Sequence, residues 1–236
     1  MRIVPVIDLK NRLVVRAYRG DRKNYRPIET ALAPGTSDPI NVAAGLLNTC
    51  PAFDSLYVAD LDGIEGRGRN LAAVTALSET FPHLEILLDN GSADAQAMED
   101  FAGLERVIPV IGSETLASLR DLEAIASVRG KRFALSLDWR GETPLGPQKV
   151  YETPEAWPET VIVMTLDRIG AKAGPDFERV GEVKRLAGDR EVFCAGGVRG
   201  LEDLQKANSL GCGALIATAL HDATVSPADL TSLIKG

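Results

Sequence analysis

The chain has 236 residues, 45% of them apolar and 25% charged, with a formal net charge of −7 at pH 7. That balance suits a soluble globular protein with a sizeable core, and the acidic surplus argues against a nucleic-acid partner, which would need a broad basic face. No run reaches the roughly 20 apolar residues of a membrane span, the opening run is too short for a signal peptide, and Cys50, Cys194 and Cys212 are too scattered for a disulfide framework or a zinc knuckle, so a cytoplasmic protein with no membrane partner is expected.

Short apolar runs and stretches of helical spacing follow one another along the chain. The strand Ile3–Ile7 comes first; Asp38-Pro39 then reads as an N-cap with proline at the first helical position, opening a helix to about Asn48. Strand Leu56–Ala59 precedes helix Leu71–Thr80, and strand Leu84–Leu88 precedes helix Ala93–Phe101. Strand Val107–Ile111 is followed by helix Thr115–Ser127, then by strands Phe133–Leu137 and Val161–Met164. Helix Asp176–Leu186, strand Val192–Ala195, helix Leu201–Ser209, strand Ala214–Ala217 and helix Ala228–Ile234 complete the chain. Most strand runs are Val-, Ile- and Leu-rich without clean alternation, as in parallel strands buried on both faces. Eight such strands interleaved with helices predict one domain over residues 1–236, an α/β TIM (β/α)8 barrel; a doubly wound open sheet is the structural rival.

An internal half-barrel repeat favours the barrel. Tyr57–Ile64 lies on Ile162–Ile169, Leu87–Gly91 on Phe193–Gly197, and Val110–Ser113 on Leu215–Thr218, at offsets of 105–106 residues. Asp8 then pairs with Asp138 if the first βα loop is longer than the fifth, and Arg12–Ser37 supplies that length. Four βα units present twice describe a barrel built of two halves. Asp8 and Asp138 become the C-terminal residues of strands 1 and 5, facing each other across the mouth, where this fold keeps its catalytic groups. One carboxyl can act as general acid and the other as general base. A strand-end Asp can also merely cap the next loop.

Ala195-Gly196-Gly197-Val198 follows strand 7 and Ala217-Thr218-Ala219 follows strand 8. Loops at these two positions form the usual phosphate site of such barrels, with glycines admitting the anion to the backbone N–H groups and Thr218 adding a hydroxyl. By the repeat, Asn90-Gly91-Ser92 and Gly112-Ser113 would form a second anion site across the mouth. The first loop carries Arg16, Arg19, Arg22, Lys23 and Arg26. Arg16 and Arg19, with Asp60 at the end of strand 2, are read as a substrate clamp; a solvated charged loop is the alternative.

Pro5-Val6-Ile7-Asp8-Leu9-Lys10, Val14-Val15-Arg16, Val58-Ala59-Asp60-Leu61-Asp62-Gly63, Gly196-Gly197-Val198 and Leu201-Glu202-Asp203-Leu204 resemble the histidine-biosynthesis barrels, the HisA/HisF family. The resemblance covers nearly the whole chain and is nearer to the ribotide isomerase than to the cyclase, whose usual Cys-Leu-Asp first strand and catalytic Lys at the place of Arg16 are missing. It implies an Amadori-type aldose–ketose rearrangement, with Asp8 as the base at C2, Asp138 as the acid that opens the ribose, and Thr165 beside the reacting centre. It implies no metal and no other cofactor, and a phosphorylated ribose-containing small molecule as partner. A homo-oligomer is compatible with it.

The departures bear on the substrate. The isomerase usually has Gly-Gly-Gly-Ile-Arg after strand 3, whereas here the stretch reads Asp89-Asn90-Gly91-Ser92-Ala93, without the arginine. Its strand-6 loop usually reads Asp-Arg-Asp-Gly-Thr, and here Leu166-Asp167-Arg168-Ile169-Gly170-Ala171. Arg22-Lys23-Asn24-Tyr25-Arg26-Pro27 resembles an outlying branch found in methanogens and methylotrophs. That combination points to a ribose phosphate with an altered other end, such as a ribosyl-aminobenzene phosphate of tetrahydromethanopterin synthesis. The other readings are the genuine histidine-pathway isomerase and a non-catalytic phosphate-ligand-binding barrel.

Overall fold

The structure is a computed structural model that describes residues 1–93, 103–129 and 132–235. Among them, eight parallel strands close into a ring: β1 (Ile3–Lys10), β2 (Ser55–Asp60), β3 (Glu85–Asp89), β4 (Val107–Gly112), β5 (Ala134–Arg140), β6 (Thr160–Thr165), β7 (Glu191–Ala195) and β8 (Gly213–Ile216). Each strand pairs with the next. β8 returns to β1 through Ile3↔Ala214, Val4↔Leu215 and Pro5↔Ile216. An open doubly wound sheet would leave two free edges, and this ring has none, so the rival architecture is excluded.

The missing alternation in the strand sequences has a direct cause: both strand faces are buried in apolar surroundings. Val4, Tyr57, Leu87, Val110, Ala134, Ile162, Phe193 and Leu215 point into the barrel. Their neighbours Ile3, Leu56, Leu88, Ile111, Leu135, Val163, Val192 and Ile216 point outward to the helices. A fully buried aliphatic side chain contributes roughly 2 kcal/mol, so both layers hold the ring closed.

Asp38 caps helix Pro39–Leu47 by accepting from the N–H groups of Ile40 and Asn41 at 3.0 and 3.1 Å. Asp176 accepts from Arg179 N–H at 3.2 Å and caps helix Phe177–Ala187. Helices Leu71–Thr80 and Leu201–Ser209 have the expected bounds. The helix expected from Thr115 starts at Leu119, because Ser113–Thr115 forms a 3-10 turn and Asp121 gathers the N–H groups of Ala117 and Ser118. The helix expected over Ala93–Phe101 lies, from residue 94 on, outside the described residues. A short helix, Gln148–Glu152, stands between β5 and β6, where none was expected.

Two hairpins extend the barrel at the same place in each half. β1 runs on to Lys10 and folds back as Leu13–Arg16, with Lys10 opposite Leu13. β5 runs on to Arg140 and folds back as Thr143–Pro144, with Arg140 opposite Thr143. Asn11, Arg12 and Gly141 take φ of 51°, 66° and 56°, the left-handed backbone that tight hairpin turns require.

The two ends of the barrel differ. Arg2 plugs the floor, donating to Glu85 at 2.6 Å and to Glu191 at 3.2 Å with its guanidinium over Phe193. The first loop crosses the opposite end. Arg19 N–H donates to Ile169 O at 2.6 Å, and Arg22 pairs with Glu114 at 2.7 Å. No helix of the described residues is long and apolar enough to cross a membrane.

Candidate active site

A cavity opens at the C-terminal end of the strands, beneath the first loop. Asp8, Ala59, Asp89, Asp138, Met164 and Ala195 line it from six strands, and Glu114, Gly196, Gly197, Ala217 and Thr218 line it from the segments that follow strands. Asp8 and Asp138 point inward because β1 and β5 direct Val4 and Ala134 inward and side chains alternate along a strand.

Asp138 is held from several sides. Ser136 Oγ donates to Oδ1 at 2.6 Å, while Ser113 Oγ and the Glu114 N–H approach Oδ2 at 3.3 Å. The Asp138 N–H in turn donates to Ser113 Oγ at 2.9 Å. Among the described residues no hydrogen bond reaches the Asp8 carboxylate, which keeps part of its surface on the cavity. Burial pushes Asp8 up to about 7; the Arg22 guanidinium pulls it back and Asp89 adds to the rise. Burial likewise pushes Asp138 to about 7, opposed by the Ser136 hydrogen bond and assisted by Asp89 and Glu114. Two carboxyls poised near neutrality can share the work of acid and base, one protonated and one ionised.

The segments after β7 and β8 form the other wall. Gly196 and Gly197 have φ of 93° and 86°. A Cβ on Gly196 would stand 2.7 Å from Thr165 O, and one on Gly197 would stand 3.0 Å from both Arg168 O and Gly174 O, so only glycine fits. Thr218 opens the short helix Thr218–His221 beside them. Asp222 holds two cations at this wall, Arg16 at 3.2 Å and Lys172 at 2.8 Å. His221 bonds Thr30 at 3.0 Å; burial first, then Arg16, lowers it to about 4, so it is neutral at pH 7. Lys172 stands in the β6 loop with no motif around it to signal its part.

Several expected site residues lie elsewhere, mostly through strand parity. Thr165 follows inward Met164 and so faces outward, where its hydroxyl lies 3.5 Å from Arg179 Nη1 beneath helix Phe177–Ala187; it is not beside the cavity. Asp60 also faces outward and, instead of clamping substrate, accepts from the N–H groups of Gly63 at 3.2 Å and Asn70 at 2.7 Å, tying its own loop together. Arg19 is exposed and stacks over Tyr18, while Arg22 reaches the cavity in its place. Arg16 lines the cavity and is paired with Asp222.

The second anion site does not form as expected. Gly91 N–H donates to Asp89 Oδ1 at 3.2 Å, and Ser92 N–H donates to Asn90 Oδ1 at 3.2 Å, so both donors are engaged locally. Gly112 faces Asp138, where an added Cβ would stand 3.2 Å from Oδ2, and Ser113 is fully buried as a partner of Asp138 and Tyr151. The groups that reach the cavity on this side are Asp89 and Glu114. Among the described residues no cluster of His, Cys, Asp and Glu is arranged to hold a metal ion.

The family model described as histidine biosynthesis protein matches residues 2–226. The chain is 28% identical over 246 residues to an uncharacterized protein of Methanocaldococcus jannaschii, covering 100% of this chain and 98% of the relative. It is 28% identical over 248 residues to the 1-(5-phosphoribosyl)-5-((5-phosphoribosylamino)methylideneamino) imidazole-4-carboxamide isomerase of Thermococcus kodakarensis, covering 100% of this chain and 98% of that enzyme. The isomerase of the same name from Aquifex aeolicus is 28% identical over 248 residues, with 97% and 96% covered. A barrel closed through eight strands and a family match spanning almost its whole length agree, and the chain belongs to the histidine biosynthesis protein family.

Proposed function

We propose that the chain is an isomerase that opens a phosphorylated ribose carried on an amine and converts the aldose into a ketose. Asp138, protonated, gives its proton to the ring oxygen as the C1–oxygen bond breaks, leaving an iminium at C1. Asp8, ionised, removes the proton from C2, and the electron pair moves into the C1–C2 bond and on to nitrogen. The resulting enolamine tautomerises to the aminoketose, with no outside oxidant or reductant needed. The observation that carries the proposal is the Asp8–Asp138 pair, both raised by burial to about 7 in one cavity. The glycine pair Gly196-Gly197, Thr218 and the cations Arg16 and Lys172 support seating the phosphate opposite Asp89. Replacing either aspartate by Asn should lower turnover by roughly 100- to 10,000-fold. Near-full turnover in both variants would refute it.

Two substrates fit this chemistry. The full-length isomerase relatives favour the histidine-pathway imidazole carboxamide ribotide, and restored growth of an isomerase-deficient histidine auxotroph would establish it. The first-loop run Arg22–Pro27, which resembles the methanogen and methylotroph branch, supports a second reading, a ribosyl-arylamine phosphate of one-carbon carrier synthesis. Turnover of that compound, with no rescue of the auxotroph, would decide for it. A cavity lined by both aspartates counts against a barrel that only binds phosphate ligands.

A further inference from the structure

The wall of the cavity at the ends of β3 and β4 is acidic. Asp89 ends β3 and lines the cavity, accepting from Gly91 N–H through Oδ1 and from the Tyr57 hydroxyl through Oδ2, both at 3.2 Å. A carboxylate has about four lone-pair sites, so acceptor capacity remains for a ligand. The facing charges are Arg22, Glu114, Asp8 and Asp138. Arg22 is paired with Glu114 at 2.7 Å and is shared between that carboxylate and Asp89, so it offsets Asp89 only in part. Burial raises Asp89 to about 6, which leaves it ionised at pH 8. Tyr25, Leu61 and Ile64 add aromatic and aliphatic surface to the cavity lining.

The opposite wall, at Gly197 and Thr218, carries Arg16 and Lys172. The cavity is thus polarised, with cations and backbone turns at one end and a carboxylate at the other. We infer that Asp89 sets substrate specificity, receiving a nitrogen-bearing hydrogen-bond donor on the C1 side of the sugar and rejecting a second phosphate there. A dianion against Asp89 would be repelled in a water-poor cavity, whereas an amine or amide N–H gains a charge-assisted hydrogen bond. The inference rests on the proposed function, because it takes the ribose phosphate to be seated at Gly196-Gly197 and Thr218.

The test is calorimetric titration of the full chain at pH 8 with three probes: ribulose 5-phosphate, 1-amino-1-deoxyribulose 5-phosphate and ribulose 1,5-bisphosphate. The aminoketose should bind most tightly, and at least about tenfold more tightly than the bisphosphate. Asp89→Asn should narrow that gap while leaving ribulose 5-phosphate binding nearly unchanged. A bisphosphate that binds wild type more tightly than ribulose 5-phosphate would overturn the inference and leave the proposed isomerase standing. An unchanged gap in Asp89→Asn would also overturn it. Failure of all three probes to bind would overturn the phosphate seat and the inference together.

Discussion

Asp8 and Asp138 occupy the same station in their hairpins: Asp8 stands opposite Val15, and Asp138 O accepts from Leu145 N–H at 2.8 Å, each two residues inside the last pair, Lys10–Leu13 or Arg140–Thr143. The equivalence is structural as well as sequential, and it brings both carboxyls to one cavity with one ionisation range.

That range sets a pH profile. An acid that must be protonated and a base that must be ionised, both near 7, should give a bell-shaped kcat/KM with its maximum near pH 7. Initial rates from pH 5 to 9 measure it. A flat profile would show that these two groups do not titrate during turnover.

Ser136 lets the two roles be told apart. Its hydroxyl lowers Asp138 through the 2.6 Å hydrogen bond to Oδ1. Ser136→Ala should therefore raise the Asp138 pKa further. With Asp138 as the acid, the alkaline limb of the profile moves to higher pH while the acid limb stays. Movement of the acid limb alone would exchange the two assignments.

The same shifts predict a stability change of opposite sign to the activity change. Asp8 is raised from 3.8 to about 7, so folding disfavours its ionised form; the stability it gives is full below pH 3.8 and is lost as pH rises through 7. Asp8→Asn should therefore raise the melting temperature at pH 8 by several degrees, from a gain of roughly 2 kcal/mol or more. The gain should vanish near pH 4. Thermal melts at both pH values check this, and an equal gain at both would assign it to packing instead.

Gly197→Ala tests the phosphate wall. The new methyl would sit on a left-handed backbone 3.0 Å from two carbonyl oxygens, a cost of about 1–2 kcal/mol before any relaxation. Calorimetry with ribose 5-phosphate should show affinity down by at least about tenfold. Wild-type affinity in a folded variant would move the phosphate elsewhere.

The fold was readable because βα units punctuate the chain with caps and Gly-rich ends. Asp38, Asp176 and the Gly196-Gly197 pair all do in the structure what their residue types suggest. What the letters do not carry is which way a strand residue points. β2 and β6 are apolar on both faces, so nothing in the pattern separates outward Asp60 and Thr165 from inward Ala59 and Met164. Asp89 ends β3 and faces the cavity by the same unreadable parity. Arg22 and Lys172 take their places through loops that meet only in three dimensions, Arg22 at Glu114 and Lys172 at Asp222.

The paired hairpins have one further consequence. A half-turn about the barrel axis exchanges Asp8 with Asp138, so the aspartates by themselves give the reaction no direction. Direction enters through the unequal walls, Gly197 with Lys172 on one side and Asp89 on the other, and through the hydrogen bonds that hold Asp138. A barrel whose glycine pair and cations were moved to the end of β3 would hold its sugar reversed, with the ring oxygen turned toward Asp8 and C2 toward Asp138.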